Sequence, residues 1–250
     1  AAKDAEEVEA LLRASLTDAD MANVTVVACD INDTWARDHG PITLRNVLDG
    51  SLKLLDFKFN GWGEKFEWHK DNDITKSLFK HGVFAASLES HDDFVLEGGS
   101  IESDGKGTVF TTAQCLLAPH RNQPLDEAEI EEKLKATLGA RRVVWLHHGN
   151  LIGDDTDGHI DTIVRICPND TLLYVGCDDE SDEQYADFKA LEAELQALTT
   201  IDGRPYRLLK LPMPDEMVFD GERLPATYAN FLVINGAVIV PVYGQPEKDE

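Results

Sequence analysis

The segment formed by residues 153–161 contains four carboxylates and one imidazole within nine positions. A second acidic element, Trp35-Ala36-Arg37-Asp38, lies far upstream. A guanidinium group is planar and presents its N–H donors in a fork, so paired carboxylates can bind it bidentately while an imidazole transfers protons. The residue types therefore predict chemistry on an arginine-like cation.

His159 and Asp161 stand at the entrance to an apolar run, which predicts a strand that places both side chains on one face. This arrangement suits an acid/base beside a carboxylate that binds substrate. A metal site is the main alternative, although the helical His-x-x-x-His frame of zinc hydrolases does not occur in the sequence. Its ligands would come from Asp154, Asp155, Asp157, His159 and Asp161, with His147 and His148 nearby.

Asp38 follows a tryptophan and precedes a Gly-Pro turn. Asp38 can bind a guanidinium whose face Trp35 covers through a cation–π contact worth about 0.5–2 kcal/mol. The alternative is a surface ion pair between Arg37 and Asp38 beside a buried indole.

Glu97 follows the apolar residues 94–96 and precedes Gly98 and Gly99, which allow close approach of the backbone. A buried carboxylate needs a partner, and His159 is the natural one. Glu97 would then fix the tautomer of His159 and raise its basicity, as the third member of a triad does. The alternative is a Gly-Gly bend that carries a solvated glutamate.

The elements that must position these residues form an internal repeat of strand, polar loop, hairpin and helix. In the first copy we predict a strand at residues 24–28, a hairpin at 40–59 and a helix at 71–80. In the second copy we predict a strand at 94–96, a hairpin that turns at 103–107 and a helix at 125–138. The Asp-Gly pairs in both hairpins favour tight turns.

Two further copies complete the repeat. The third has strands at 142–146, 160–166 and 172–175, and a helix at 183–198. The fourth has a strand at 206–211 and a hairpin of residues 228–234 and 238–242. Because the loops after the first strands would gather at one end of a ring of such units, we expect Asp38, Glu97, His159 and Asp161 to share a pocket.

A helix predicted at residues 4–16 precedes the first copy. A repeated sheet-and-helix unit exposes strand edges until its ring closes. We therefore predict a single propeller domain over residues 1–250 that is incomplete at both ends. The alternative is a ring of four units, which the first helix completes.

The bulk composition limits the classes of function. With 42% hydrophobic residues, the 250-residue chain can bury a full core. A formal net charge of −24 repels nucleic acid and anionic membranes and attracts cationic ligands. The sequence contains no phosphate loop and no dinucleotide fingerprint, so we expect no nucleotide cofactor.

The cysteines and the termini bear on location. Cys29, Cys115, Cys167 and Cys177 form no Cys-x-x-Cys pair, which favours reduced thiols and a cytoplasmic protein. No apolar stretch approaches the roughly 20 residues that cross a bilayer, and no leader opens the chain. Because the chain begins at Ala1 without a methionine, a removed leader remains the alternative.

The sequence resembles the family of agmatine deiminases and Porphyromonas-type peptidylarginine deiminases, in the guanidino-group-modifying superfamily. The resemblance extends over residues 24–243. The matching segments are Asp33-Thr34-Trp35-Ala36-Arg37-Asp38, Leu96-Glu97-Gly98-Gly99-Ser100, Cys115-Leu116-Leu117 with Arg121-Asn122, residues 153–161, and Pro225-Ala226-Thr227-Tyr228-Ala229-Asn230-Phe231 with Pro241-Val242-Tyr243.

The resemblance implies an α/β fold of the pentein type, a five-bladed β/α-propeller of ββαβ modules, of which about four are present here. It implies that Asp38 and Asp161 bind the two sides of the guanidinium, that His159 acts as acid and base, and that Glu97 orients it. Trp35 and Asp155 would contact the substrate. The family requires no metal and no organic cofactor.

The resemblance also implies an activity, the hydrolysis of agmatine to N-carbamoylputrescine and ammonia by covalent cysteine catalysis. The family's nucleophile lies in a Gly-Gly-x-x-His-Cys segment that does not occur in these 250 residues. We therefore expect the nucleophile beyond Glu250, and expect this chain alone to bind a guanidine without hydrolysing it. Deimination of free or peptidyl arginine, and a non-catalytic binder of guanidines or polyamines, remain alternatives. A homo-oligomer is compatible with each.

Overall fold

The computed structural model describes residues 4–249, in two compact units formed by residues 4–98 and 99–249. The single domain predicted over residues 1–250 includes positions outside the described range and stays a prediction, as does the propeller arrangement.

The first unit contains one three-stranded sheet and six short or medium helices among its described residues. Its helices are α1 (Ala5–Ser15), α2 (Asp18–Met21), α3 (Ala36–His39), α4 (Gly61–Glu64), α5 (His69–Asn72) and α6 (Ile74–Lys80). Its strands are β1 (Ile42–Arg45), β2 (Leu52–Lys58) and β3 (Ser87–Val95).

The predicted hairpin of the first copy is confirmed. β1 and β2 pair antiparallel, with Ile42 opposite Leu55, and β3 pairs parallel with β2. The turn is stabilised by side chains, because Asn46 Oδ1 accepts from the Leu48 N–H at 2.9 Å and Asp49 Oδ1 accepts from the Ser51 N–H at 2.9 Å. The predicted helix at 71–80 is divided between α5 and α6.

The strand predicted at residues 24–28 is wrong. These residues belong to no helix or strand and form no ladder with any described strand. An extended apolar segment becomes a strand only when a neighbour accepts its backbone hydrogen bonds, and the sequence of the segment alone does not provide that neighbour.

The second unit begins next to a 3-10 helix at Gly98–Ser100 and contains two three-stranded sheets and two short hairpins in its described part. Its strands are β4 (Ile101–Ser103), β5 (Thr108–Thr112), β6 (Arg142–Leu146), β7 (Val164–Cys167), β8 (Thr171–Gly176), β9 (Arg207–Pro212), β10 (Val218–Phe219), β11 (Glu222–Arg223), β12 (Leu232–Ile234) and β13 (Ala237–Ile239). Its helices are α7 (Ala113–Leu116), α8 (Glu127–Leu138), α9 (Tyr185–Ala197) and α10 (Pro246–Asp249).

The repeated module is confirmed at the level of topology, and with it the α/β fold class. In each three-stranded sheet an antiparallel hairpin is followed, after helical chain, by a strand parallel to its second strand. The orders are β1-β2-β3, β4-β5-β6 and β7-β8-β9. The hairpin predicted in the fourth copy is present as β12 and β13. The short pair of β10 and β11 was not predicted.

Local signals explain the two long helices of the second unit. Asp126 and Glu129 form a reciprocal capping box at the start of α8, and Gly139 ends it in a left-handed conformation. α9 buries Phe188, Leu191 and Leu195 at helical spacing. These side chains belong to a core cluster with Phe110, Leu146, Ile160, Ile163, Val164, Leu172, Val175 and their neighbours.

One predicted strand in the third copy is corrected. Residues 160–166 do not form a single strand, because Ile160–Thr162 is a 3-10 helix and β7 begins at Val164. Among residues 4–249, no helix has the length and apolar character required to span a membrane.

Candidate active site

Asp38 lies on the short helix α3 and is 7% exposed. The indole Nε1 of Trp62 donates to Asp38 Oδ2 at 3.1 Å. Trp62 is itself buried and packs edge-on against Phe59, with ring centroids 5.0 Å apart. The indole therefore holds the Asp38 carboxylate against the packed rings of Trp62 and Phe59, away from solvent.

The loop that leads into α3 is anchored by helix α5. The buried carboxylate of Asp71 accepts from the Asn32 N–H at 2.6 Å and from the Asp33 N–H at 3.1 Å. In return, the Lys70 N–H donates to Asn32 Oδ1 at 2.9 Å. Trp35 occupies the N-cap position of α3 and is 57% exposed. A contact between Trp35 and substrate stays a prediction.

Glu97 lies two residues after the end of β3 and is fully buried. The predicted buried carboxylate is therefore confirmed, and the alternative of a solvated glutamate is wrong. Its position depends on Gly98, because a Cβ atom there would collide with the carbonyl oxygen of Arg37. The peptide before it is fixed by the bond from the Leu96 N–H to the Lys58 carbonyl at 3.2 Å.

The acidic loop between β6 and the 3-10 helix is organised by Asp154. Its Oδ1 accepts from the N–H and hydroxyl of Thr156 at 3.0 and 2.6 Å, and its Oδ2 accepts from the Gly158 N–H at 2.6 Å. Gly153 has φ +87°, and a Cβ atom there would collide with the carbonyl oxygen of Arg223. Asp154 therefore stabilises the loop conformation, a role that sequence reasoning missed.

His159 is 2% exposed, and threonine hydroxyls bind the peptide groups on both sides of it. Its N–H donates to Thr156 Oγ1 at 3.1 Å, and its carbonyl accepts from Thr162 Oγ1 at 2.7 Å. The preceding carbonyl, of Gly158, accepts from Thr112 Oγ1 at 2.6 Å. The side chain of His159 is thus carried by a fixed stretch of backbone.

Asp161 is 4% exposed and lies in the 3-10 helix whose N-cap is His159. The reasoning that a strand would place His159 and Asp161 on one face is therefore wrong. The structure nevertheless brings both residues into one buried segment. The hydroxyl of Thr227 supports this segment from the C-terminal part of the unit by donating to the Thr162 carbonyl at 2.6 Å.

Arg121 holds the acidic loop from the side. Its guanidinium donates to Asp157 Oδ2 at 2.6 Å and to the Thr156 carbonyl at 2.6 Å, and its side chain is fully buried. The sequence identified Arg121 only as part of a family motif. Its pairing with Asp157 leaves that carboxylate in a structural ion pair.

The geometry of the acidic loop bears on the metal alternative. Among residues 4–249, its aspartates and the two nearby histidines form no group of three with ligand atoms within 4.8 Å of one another. His148 Nδ1 lies 2.9 Å from Asp187 Oδ1, and the same carboxylate accepts from the Gly149 and Asn150 N–H groups at 2.8 and 2.7 Å. Asp155 is exposed, whereas Asp154 and Asp157 are half-buried.

Burial disfavours the thiolate form of two of the four cysteines. None of Cys29, Cys115, Cys167 and Cys177 forms a disulfide. Burial raises the pKa of the Cys167 and Cys177 thiols, which opposes the thiolate that a nucleophile requires. Cys115 is fully buried, and its N–H donates to Thr112 Oγ1 at 3.1 Å.

Comparison with known proteins identifies the family of the chain that carries these buried acidic and histidine side chains. A family model described as Porphyromonas-type peptidyl-arginine deiminase matches residues 1–250. The chain belongs to this family. It is 34% identical to the agmatine deiminase of Stutzerimonas stutzeri over 263 residues, which cover 95% of this chain and 69% of that protein.

Solved structures of the family share the fold. The chain is similar to a cysteine-to-serine variant of the agmatine deiminase of C. jejuni with substrate bound, with a TM-score of 0.82 and 42% identity over 90% of this chain and 65% of that one. It is also similar to the agmatine deiminase of Enterococcus faecalis, with a TM-score of 0.83 and 29% identity over 98% and 71% of the two chains. The chain thus spans about two thirds of the length of the family members that it matches.

Proposed function

We propose that the protein hydrolyses the guanidino group of agmatine to N-carbamoylputrescine and ammonia. The observation that supports it best is the burial of His159 and Asp161 in one hydrogen-bonded segment of a chain that belongs to this family. Buried carboxylates are stabilised by a cationic partner, and a guanidinium supplies the charge and the donors. The similar proteins named agmatine deiminase direct the choice of substrate.

In the proposed mechanism Asp38 and Asp161 bind the guanidinium and keep its carbon electrophilic. A cysteine thiolate attacks that carbon, and the C–N bond to the departing nitrogen breaks as His159 donates its proton to that nitrogen, which leaves as ammonia. His159 then takes a proton from water, which attacks the thiouronium carbon and releases the cysteine and the ureido product. Glu97 would orient His159 for both steps.

In this proposal the nucleophile is none of the four cysteines in residues 4–249. Buried thiols with raised pKa values, such as Cys177, are poor candidates. The expectation that the nucleophile follows Glu250 stays a prediction. Labelling of the protein expressed from its complete gene with a haloacetamidine, followed by peptide mass mapping, tests it, and a label on Cys29, Cys115, Cys167 or Cys177 would contradict it.

Ammonia release from agmatine by that protein tests the function. We expect His159→Ala and Asp38→Ala to lose at least about 10²-fold in kcat/KM, because a general acid/base contributes about 10²–10⁴-fold. His148→Ala is the matched control, because His148 lies in the same loop but its ring is exposed and bonded to Asp187. Full activity in both site variants would refute the assignment.

The same assay separates the alternatives. Citrulline formation from free or peptidyl arginine in preference to agmatine turnover would favour arginine deimination, which the description of the family model supports. Saturable agmatine binding without any product would identify a binder. Activity lost to chelators and restored by zinc would favour the metal alternative. The cytoplasmic location and a homo-oligomeric state remain predictions.

A further inference from the structure

We propose that Thr112 is a positioning residue for His159, an inference that rests on the function proposed above. Thr112 is the last residue of β5 and is 3% exposed. It touches no predicted substrate-binding residue through its hydroxyl bonds. Its effect would reach His159 through the peptide group that joins Gly158 to His159.

The hydroxyl of Thr112 is used twice, and the two bonds fix its orientation. It accepts from the Cys115 N–H at 3.1 Å, as the N-cap of α7, and it contacts the Gly158 carbonyl at 2.6 Å. A backbone N–H can only donate, so the hydroxyl proton must point to the Gly158 carbonyl. Capping of α7 and placement of the His159 peptide therefore depend on one oxygen atom.

The loop around His159 needs an anchor outside itself. Gly158 has φ +85°, a conformation without helical or strand pairing. Arg121 and Thr227 hold the two ends of this segment, at the Thr156 and Thr162 carbonyls. Between these ends, the bonds from His159 to Thr156 and from Thr162 to His159 join residues of the segment itself. Thr112 instead belongs to a sheet strand that pairs on both sides, which gives the Gly158 carbonyl a fixed reference.

This arrangement predicts an effect on turnover rather than on binding. A displacement of a catalytic group by about 1 Å costs about 10²-fold in rate. Loss of the Thr112 hydroxyl would leave the buried Gly158 carbonyl without its donor and free the peptide to shift. Because the carboxylates that bind the guanidinium remain, KM would change little.

The experiment compares Thr112→Val, which removes the hydroxyl, with Thr112→Ser, which keeps it, in the protein expressed from its complete gene. Thr171→Val is the matched control, because Thr171 is also a buried strand residue, and its hydroxyl donates to the carbonyl of Asn169 in a turn at 3.4 Å. kcat and KM for agmatine and the thermal midpoint are measured for each.

We expect kcat of Thr112→Val to fall about 10–100-fold with KM within about twofold. Thr112→Ser should retain kcat within about threefold of the wild type, and Thr171→Val should retain the wild-type kcat. The serine variant keeps the inference testable if the valine variant fails to fold.

The outcomes separate this inference from the function itself. Wild-type kcat in Thr112→Val, a serine variant as impaired as the valine variant, or an equal loss of kcat in Thr171→Val would each overturn the positioning role. If the wild type releases no ammonia from agmatine, or if His159→Ala remains fully active, then the proposed function fails instead.

Discussion

The indole Nε1 of Trp62 donates a 3.1 Å hydrogen bond to the carboxylate of Asp38, a residue 24 positions earlier in the chain. Trp62 has φ +57°, which is uncommon for a large side chain, and it is wedged between Phe59 and Phe66. The Trp62 indole therefore does more than pack, because it also donates a hydrogen bond to a predicted substrate-binding residue.

Trp62→Phe tests this contact. Phenylalanine keeps most of the packing but removes the N–H, so the buried Asp38 carboxylate loses a donor. We expect the free energy of unfolding to fall by about 1–3 kcal/mol, together with a lower kcat/KM for agmatine. Urea unfolding followed by circular dichroism measures the first effect, and steady-state ammonia release measures the second.

Trp68→Phe is the control for the same chemical change. Trp68 is half-buried and stacks on His69 with ring centroids 4.0 Å apart. We expect unchanged kcat/KM in this variant. Equal losses of kcat/KM in the two variants would mean that indole packing, rather than the bond to Asp38, matters for the site.

Arg121→Met tests the ion pair that holds the acidic loop. The side chain of Arg121 is fully buried, whereas that of Asp157 retains 29% exposure. Removing one partner of a buried pair leaves the other charge uncompensated, and we expect a loss of about 3 kcal/mol in the free energy of unfolding. Arg121→Lys should lose less unfolding free energy than Arg121→Met, because it keeps the charge. Some loss should remain, because an ammonium group lacks the planar guanidinium that donates to both Asp157 and the Thr156 carbonyl.

The matched control is Arg204→Met, which breaks the bond between Arg204 and Asp170 at 2.9 Å on the surface. Exposed pairs contribute little, so the unfolding curve of this variant should overlay that of the wild type. A destabilisation of Arg204→Met as large as that of Arg121→Met would refute the assignment of a special structural role to the buried pair.

The hairpins and helices of the repeat were the most predictable features, and their signals are local. The strand predicted at residues 142–146 has the same bounds as β6, and the Asp-Gly pairs mark the turns of two hairpins. Local signals do not determine the two features that were predicted wrongly, the strand at 24–28 and the 3-10 helix at Ile160–Thr162. Both depend on hydrogen-bond partners elsewhere in the chain, which alternation of apolar residues does not reveal.

The candidate site shows the same division. Asp38, Glu97, His159 and Asp161 were chosen from residue type and motif, and all four are buried. The residues that support them were missed. Trp62, Asp71 and Thr112 form their hydrogen bonds with residues that lie 24 to 46 positions away in the sequence. No spacing rule identifies a tryptophan or threonine as the donor to a distant carbonyl or carboxylate.

Asp56→Asn should stabilise the protein at neutral pH. Asp56 lies on β2, is 2% exposed, and its Oδ2 is buried with no hydrogen-bond partner among residues 4–249. Burial raises its pKa to about 6, although the Lys76 ammonium at 3.9 Å opposes the shift. A raised carboxyl pKa means that stability is greatest while the group is protonated and is lost as pH rises through about 6.

Asparagine removes this ionisation. At pH 7.5 we expect the variant to be more stable than the wild type by about 2 kcal/mol, allowing for solvent screening, and the difference should vanish near pH 4. Urea unfolding at a series of pH values gives the two curves. A difference that does not change with pH would show that Asp56 is not the titrating group.

Asp92→Asn provides a control of opposite sign. The hydrogen bond from Lys76 to Asp92, at 2.9 Å, lowers the pKa of that carboxyl. Its contribution to stability is therefore present at neutral pH and is lost as pH falls. This variant should be less stable than the wild type at pH 7.5 and should approach it in acid.

Asp154→Asn and Asp155→Asn separate loop structure from substrate contact in two adjacent residues. Asp154→Asn replaces the oxygen that accepts from the Gly158 N–H at 2.6 Å with an amide donor, so we expect a loss of about 1–3 kcal/mol in unfolding free energy. Asp155 is exposed, so Asp155→Asn should lose less stability than Asp154→Asn while raising KM for agmatine. Amide hydrogen exchange across residues 153–159 should accelerate only in the first variant. Unchanged KM in Asp155→Asn would remove Asp155 from the predicted substrate contacts, and an unchanged unfolding curve for Asp154→Asn would show that the loop does not depend on its carboxylate.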